Sequence, residues 1–223
     1  GDDTIVGGGG NDTLNGGDGD DTITGNTGND TITGGAGDDS ITTNSGNDNV
    51  DAGAGDDTIT VAGNLAFEDT IAGGEGSDAL VISATVTSIA QTANVTGIEV
   101  INTSASQNLA LFDGTGYTTV QLGAVTAAIT NAAAGTEALL TGVLSGASSF
   151  ALATATGTSD ALTITSKSAT GLTQTSALSV AGFETINIVG SDTTVASTDI
   201  NTVILTAANA TTVNVSGNQG VTL

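Results

Sequence analysis

The chain has 223 residues and a formal net charge of −23, with one lysine and neither arginine nor histidine. This composition excludes nucleic-acid binding and attraction to anionic membranes, because both need clusters of basic side chains. The absence of cysteine excludes disulfides and thiolate metal sites, and no apolar run is long enough to predict a membrane-spanning helix.

The first third of the chain is a glycine- and aspartate-rich array with a period of nine residues. Six full units, GGGGNDTLN, GGDGDDTIT, GNTGNDTIT, GGAGDDSIT, TNSGNDNVD and AGAGDDTIT, occupy residues 7–60. Residues 1–6 are the end of an earlier unit, residues 61–72 form a unit with three extra residues, and GGEGSDALV (73–81) closes the array. The sixth position is always aspartate: Asp3, Asp12, Asp21, Asp30, Asp39, Asp48, Asp57, Asp69 and Asp78.

Each unit also carries one Ile, Leu or Val at its eighth position, between polar residues. Alternation with a period of two predicts a short strand, with Ile23 and Ile32 inward and their flanking threonines outward. One buried side chain per nine residues is too little to offset backbone ordering and the repulsion between stacked aspartates. A divalent cation between the carboxylates would remove that repulsion, and calcium is the ion that prefers oxygen ligands.

This array resembles the G-G-x-G-x-D-x-U-x nonapeptide of the RTX proteins. In that family six residues form a calcium-binding turn, three form a short strand, and two repeats make one coil of a parallel β-roll. The resemblance implies about seven Ca²⁺ ions between facing aspartates: Asp3 with Asp21, Asp12 with Asp30, Asp21 with Asp39, Asp30 with Asp48, Asp39 with Asp57, Asp48 with Asp69, and Asp57 with Asp78.

Backbone carbonyls would complete each of these sites. We expect them from positions 2 and 4 of the repeats, namely Gly8, Gly10, Gly17, Gly19, Asn26, Gly28, Gly35, Gly37, Asn44, Gly46, Gly53, Gly55, Gly74 and Gly76. Asn26, Thr43, Asn44 and Ala52 replace glycines of the pattern and predict weaker ligands or altered turns. The three extra residues predict that the Asp48–Asp69 site departs most from the pattern.

After Val81 the sequence is rich in Thr, Ala, Val and Ser and almost uncharged. Three phrases recur in order: SDALVI with SDALTI, VTGIEVIN with VAGFETIN, and TTVQLGA with NTVILTA. We therefore predict an all-β chain with a parallel β-roll over 1–81, a β-rich unit over 82–158 and a second, truncated copy over 159–223. The alternating segments predict short strands in a sheet, sandwich or solenoid.

RTX nonapeptides running into such a region, with the G-[IF]-E-x-I-N phrase, resemble RTX-type bacterial surface-layer proteins of the Caulobacter kind. In that family the protein leaves by type I secretion and forms a two-dimensional lattice at the cell surface, ordered by calcium. The resemblance implies a secreted, non-enzymatic structural protein whose partners are calcium, copies of itself and cell-surface polysaccharide bound through a region not present here. We also expect the sequence to be a fragment. An RTX adhesin, or the accessory calcium module of a secreted enzyme, is the alternative.

Four further acidic residues have competing interpretations. Glu99 and Glu184 occupy matching places in the two copies, so we favour one structural role used twice, capping a turn or binding a peripheral cation, over a glycosidase pair. Asp113, in FDGTGY, suits a simple turn better than another calcium site. Asp160 matches Asp78 and is a candidate for a retained calcium role, although most of the preceding glycine turn is gone. Lys167, the only base, is expected at an exposed position.

Overall fold

The computed structural model of the chain describes residues 1–63, 65–112, 115–122, 127–133, 135–141, 148–152, 160–168, 178–192, 200–202, 204–207, 210–217 and 220–222. Asp113 lies outside the described residues, so its predicted turn stays a prediction. The helices among these residues are two short 3₁₀ turns, Ile89–Gln91 and Leu109–Phe112. Neither of them, nor any other helix in this part of the chain, is long and apolar enough to cross a membrane.

All remaining regular structure in the described ranges is β-strand. The strands are β1 Thr4–Gly9, β2 Thr13–Asp18, β3 Thr22–Thr27, β4 Thr31–Ala36, β5 Ser40–Thr42, β6 Asn49–Ala54, β7 Thr58–Val61, β8 Thr70–Glu75, β9 Ala79–Ile82, β10 Val95–Thr96, β11 Val100–Thr103, β12 Gln107–Asn108, β13 Thr119–Leu122, β14 Ala128–Ala132, β15 Glu137–Leu140, β16 Ser148–Leu152, β17 Ala161–Ser168, β18 Leu178–Ala181, β19 Thr185–Asp192, β20 Ile200–Thr202, β21 Leu205–Ala207, β22 Thr212–Gly217 and β23 Gly220–Thr222.

The strands belong to two compact units. The first unit comprises Gly1–Asn102 and Leu111–Tyr117, and the second comprises Thr103–Ala110 and Thr118–Leu223. The change of composition at Val81 therefore lies inside the first compact unit.

The first unit is a parallel β-roll in which consecutive strands alternate between two sheets. Strands β1, β3, β5, β7, β9 and β11 form one sheet, and β2, β4, β6, β8 and β10 form the other. Equivalent residues pair in parallel two repeats apart, as Thr22 does with Ser40. The eighth-position side chains from Ile23 onward are fully buried, those of Ile5 and Leu14 are half-buried, and Thr22 and Thr31 are exposed. The predicted inward residues are confirmed, but most strands are longer than the predicted triplets, because parallel pairing continues into the turn, as in β3 from Thr22 to Thr27.

The second unit is also built from parallel strands. Its larger sheets follow the orders β13-β15-β17-β19-β22 and β12-β14-β16-β18-β21, and β20 pairs with β23. Its interior contains aromatic side chains as well as aliphatic ones, with the Phe150 and Phe183 rings 6.3 Å apart. The predicted fold class, an all-β chain with a parallel β-roll followed by a solenoid-like region, is confirmed.

Candidate metal centre

The repeat aspartates form two continuous ladders along the roll. In every neighbouring pair, the backbone N–H of one aspartate donates to Oδ1 of the aspartate one coil later, at 2.7–3.0 Å. The pairs are Asp3–Asp21, Asp12–Asp30, Asp21–Asp39, Asp30–Asp48, Asp39–Asp57, Asp48–Asp69 and Asp57–Asp78. The structure thus brings together all seven pairs that the sequence predicted.

The ladder uses only one oxygen of each carboxylate. The second oxygen, Oδ2, is buried and has no hydrogen-bond partner among the described residues in six of the nine repeat aspartates: Asp12, Asp21, Asp30, Asp39, Asp57 and Asp78. Five of these six side chains are at least 98% buried, and Asp12 is half-buried. A buried carboxylate oxygen without a donor is costly, so this row of atoms calls for a cation or a proton.

Five of these six oxygens lie beside the glycine at position 1 of their own repeat, and the repeat of the sixth, Asp57, has Ala52 at that position. A Cβ placed on Gly7 would lie 2.7 Å from Asp12 Oδ2 and 3.0 Å from the Gly25 carbonyl oxygen. Both oxygens therefore lie close to the position that a Cβ would occupy. Only glycine, which has a hydrogen atom there, leaves this space free. The same arrangement recurs at Gly16 with Asp21 and Gly34, at Gly34 with Asp39 and Ala52, and at Gly73 with Asp78 and Gly97.

Position 1 thus supplies carbonyl oxygens that sequence reasoning missed. The prediction placed carbonyl ligands at positions 2 and 4, where the glycines have positive φ. The structure places the Gly17 carbonyl against the α-carbon of Gly35 in the next coil, and the role of these glycine carbonyls as ligands stays a prediction. Glycine at position 1 of most repeats was the available signal, since a Cβ there would meet Oδ2, and Thr43 and Ala52 are the exceptions.

Three units depart from the pattern where the sequence does. In the expanded unit, the Ala66 N–H donates to Asp69 Oδ2 at 2.7 Å, so a backbone donor satisfies the oxygen that is unpaired elsewhere. Asn26 takes a left-handed φ of 74° in place of glycine, as asparagine tolerates. Strand β5 stops after three residues, just before Thr43 and Asn44 replace glycines.

The residues at position 5 form two further rows of hydrogen bonds along the exposed side of the turns. In one row Asn29 and Asn47 donate their N–H groups to Asn11 and Asn29 side chains. In the other row the acceptors are Asp2, Asp20, Asp38 and Asp56. Sequence reasoning did not single out these residues; the nine-residue spacing of Asn and Asp before each ladder aspartate was the signal.

Burial shifts the titration of the ladder. Desolvation raises the pKa of Asp57 to about 6; the N–H donated by Asp39 opposes this, and the neighbouring carboxylates of Asp78 and Asp39 add to it. Burial likewise raises the pKa of Asp39, Asp48 and Asp78, again against a donated backbone N–H. The ionised ladder is therefore unfavourable unless positive charge is supplied.

These oxygens fit calcium better than other common metals. No three His, Cys, Asp or Glu side chains converge in the described part of the chain, so any site must combine aspartate with backbone carbonyls. Calcium accepts six to eight oxygens from such mixed sources, whereas zinc favours nitrogen and sulfur. The aspartates at position 6 and the carbonyls beside them are the residues that would hold it.

The comparison with protein families agrees with this assignment. The family model of the RTX calcium-binding nonapeptide repeat (4 copies) matches residues 1–32, 24–59 and 66–81. These residues carry RTX repeats, as the sequence predicted, and RTX repeats bind Ca²⁺. A search of curated proteins found no match to the chain.

Proposed function

We propose that the chain is a calcium-dependent structural protein of a bacterial surface layer, which folds outside the cell and assembles with copies of itself. The observation that carries the proposal is the row of buried Oδ2 atoms without hydrogen-bond partners in the described residues. RTX repeats are typical of secreted proteins, and the matching residues cover the part of the chain that contains this row.

The chain's own residues explain why folding should depend on calcium. The ladder hydrogen bonds hold each carboxylate next to a backbone carbonyl, so oxygen ligands are already arranged when the coil forms. Bound calcium supplies the positive charge that a chain with one lysine cannot provide. In its absence, 17 acidic residues within the first 81 repel one another and oppose compaction.

This dependence would couple folding to export. Extracellular calcium modules have dissociation constants of about 10⁻⁴–10⁻³ M, far above the free calcium of a cytosol. The roll would remain unfolded and competent for type I secretion inside the cell. It would fold on meeting millimolar calcium outside.

Lattice formation is the finer part of the proposal. The two compact units present long parallel sheets with outward threonine and serine, and the second unit carries little charge to oppose contact between subunits. Bound calcium would reduce the negative charge of the roll and so remove the same obstacle there. Cell-surface polysaccharide is the proposed anchor. An RTX adhesin or an accessory module of a secreted enzyme remains the alternative.

We assign no enzymatic role to these residues. A cavity of about 410 Å³ beside the expanded unit is lined by Asn47, Leu65, Ala66, Phe67, Glu68, Thr87 and Gln91. Its one carboxylate, Glu68, accepts a hydrogen bond from the Asn47 side-chain amide, and the chain contains no histidine or cysteine. These features support a binding or structural role over general acid–base or nucleophilic catalysis.

Electron microscopy with and without calcium tests the proposal. We expect ordered two-dimensional sheets at millimolar calcium, and no sheets in excess chelator or in magnesium at the same concentration. Isolated rods at every calcium concentration would contradict lattice formation and favour the adhesin. A catalytic domain encoded next to these residues would favour the accessory module.

A further inference from the structure

We propose that Asp78, Gly97 and Glu99 form a calcium site beyond the last nonapeptide, and that Asp160, Gly182 and Glu184 form a second site of the same kind. The inference rests on the calcium binding proposed above for the roll, but it concerns residues that the RTX repeat model does not cover, apart from Asp78. Both sites use the phrase Gly-x-Glu facing an aspartate one coil earlier.

Glu99 continues the aspartate ladder. The Asp57 N–H donates to Asp78 Oδ1 at 2.9 Å, and the Asp78 N–H then donates to Glu99 Oε2 at 3.0 Å. A glutamate thus takes the place that the next aspartate would have. The backbone secures it there, since the N–H groups of Glu99 and Val100 both donate to the Asp78 carbonyl, at 3.1 and 2.9 Å.

Asp78 provides an oxygen that needs a partner. Its side chain is completely buried, and Oδ2 accepts no hydrogen bond from any described residue. A Cβ on Gly73 would lie 2.5 Å from this oxygen and would also overlap the Gly97 carbonyl oxygen. The arrangement matches the one at Gly7, where Asp12 Oδ2 meets the Gly25 carbonyl.

Gly-x-Glu shortens the loop without losing the ligands. In a nonapeptide, the residue with the position-1 carbonyl precedes the ladder aspartate by five positions, as Gly25 precedes Asp30. Here Gly97 precedes Glu99 by only two positions, and the glutamate side chain is longer by one methylene. The turn needs a glycine, because φ is +63° at Gly97, while Ile98 between them is buried in the core.

The second unit repeats the arrangement with different neighbours. The Asp160 N–H donates to Glu184 Oε2 at 3.0 Å, and the N–H groups of Glu184 and Thr185 donate to the Asp160 carbonyl at 3.0 and 3.1 Å. Asp160 Oδ2 is buried and has no hydrogen-bond partner in the described ranges. Gly182 has a φ of +91°, and Phe183 replaces the buried isoleucine.

The chemistry of both sites is that of a hard divalent cation. At each site the backbone N–H of the aspartate donates to the glutamate carboxylate, and in the first site the Gly97 carbonyl oxygen lies beside Asp78 Oδ2. Water would complete the six to eight oxygens that calcium takes. With two carboxylates each, we expect affinities in the extracellular range of about 10⁻⁴–10⁻³ M.

Calcium counting by equilibrium dialysis tests both sites. Glu99→Gln and Glu184→Gln keep the oxygen that accepts the ladder N–H but remove the charge, so each variant should bind one ion fewer per chain. Glu75→Gln and Glu137→Gln are matched controls in the first and second units and should bind as many ions as the unchanged chain.

A double substitution separates a shared site from two independent effects. Asp160→Asn, Glu184→Gln and the double variant should each lose the same single ion, because both side chains serve one site. An unchanged ion count in the single variants, with controls that bind normally, would overturn the inference and leave the roll's calcium binding intact. A chain that binds no calcium at all would instead refute the proposed function.

Terbium luminescence locates the first site. Tyr117 is the only tyrosine, and the chain has no tryptophan. It follows Gly116, whose Cβ position lies 3.8 Å from Glu99 Oε1. Terbium bound by Asp78 and Glu99 should therefore give tyrosine-sensitised emission that Tyr117→Phe abolishes, Glu99→Gln weakens and Glu75→Gln preserves. Sensitised emission of full strength in Glu99→Gln would count against this site.

Discussion

In the nonapeptide roll, residues 1–81, paired residues are 18 residues apart, or 21 across the expanded unit. In the second unit the spacing varies from 18 between Thr119 and Glu137 to 30 between Ser148 and Leu178. Both regions are parallel solenoids, yet only the first keeps a constant coil. A constant coil length is needed where aspartates of successive coils must lie next to one another. It is not needed where apolar side chains can pack in several ways.

The side chains buried inside the two regions also differ. The roll buries one aliphatic residue per strand triplet, together with the carboxylates of its turns. The second unit buries larger side chains, including Phe150 and Phe183, and in its described part only Asp160 has a buried carboxylate oxygen without a partner. We therefore expect bound metal to stabilise the first region and apolar packing to stabilise the second.

Removing calcium should have the largest effect and should separate the two regions. With a dissociation constant of about 10⁻⁴ M and about 2 mM calcium, each site stabilises the fold by about 1.8 kcal/mol. The six unpaired ladder oxygens would then account for about 11 kcal/mol, as much as a whole domain's stability. Hydrogen exchange should show the strands of 4–61 losing protection, while β17 and β19 keep most of theirs.

Magnesium at the same concentration is the control for ionic strength and charge. It is smaller than calcium and demands octahedral geometry, so the roll should stay unprotected in its presence. Equal protection of the roll in calcium and in a metal-free buffer would remove the distinction between the two regions.

Substitution of one glycine sharpens the account of the constant coil. Gly17 and Gly35 occupy position 2 in successive coils, with φ of +105° and +131°. An alanine Cβ at Gly17 would meet nothing within 4 Å, whereas at Gly35 it would overlap the Gly17 carbonyl. We expect Gly17→Ala to cost about 1–3 kcal/mol from backbone strain, and Gly35→Ala to cost a further ~1–3 kcal/mol from overpacking.

Thermal or urea unfolding at saturating calcium would measure the difference between the two alanine variants. The result expected is a clearly lower midpoint for Gly35→Ala than for Gly17→Ala. Equal midpoints would mean that strain alone explains the glycines and that coils do not approach as closely as the structure indicates.

Sequence reasoning predicts the roll because the nine-residue period is regular and the same residue types recur at its sixth and eighth positions. A nine-residue spacing fixes which aspartates face each other, and all seven pairs appear with the predicted partners. It could not find the donor from Ala66 to Asp69, since the path of an insertion follows from packing and not from period. The position-1 carbonyls were also missed. Every residue has a backbone carbonyl, and its direction depends on the folded backbone and not on the residue type.

In the second unit the pattern predicted strands but not their partners. Alternation in TINIV and TTVNVS was enough to expect β19 and β22. Their pairing, Ile186 with Val213, depends on a 27-residue coil, and no sequence repeat of that length predicts it. The Asp160–Glu184 contact was detectable only through its likeness to Asp78 and Glu99, which the duplicated phrases show.

Acidification of the metal-free chain should give the smallest of these effects, and its direction is opposite to that of ordinary acid unfolding. Burial raises the pKa of Asp57 to about 6 and raises the pKa values of Asp39, Asp48 and Asp78 from 3.8. A group with a raised pKa in the folded state favours folding below its unfolded value and loses that contribution as pH rises through the folded value. In calcium-free buffer the roll should therefore gain order, by circular dichroism, as pH falls from 7.5 to 4, beginning near pH 6. Asp57→Asn should weaken the transition near pH 6, and the exposed neighbour Asp56→Asn should leave it in place. A loss of order on acidification would show that the buried carboxylates are not what opposes folding without metal.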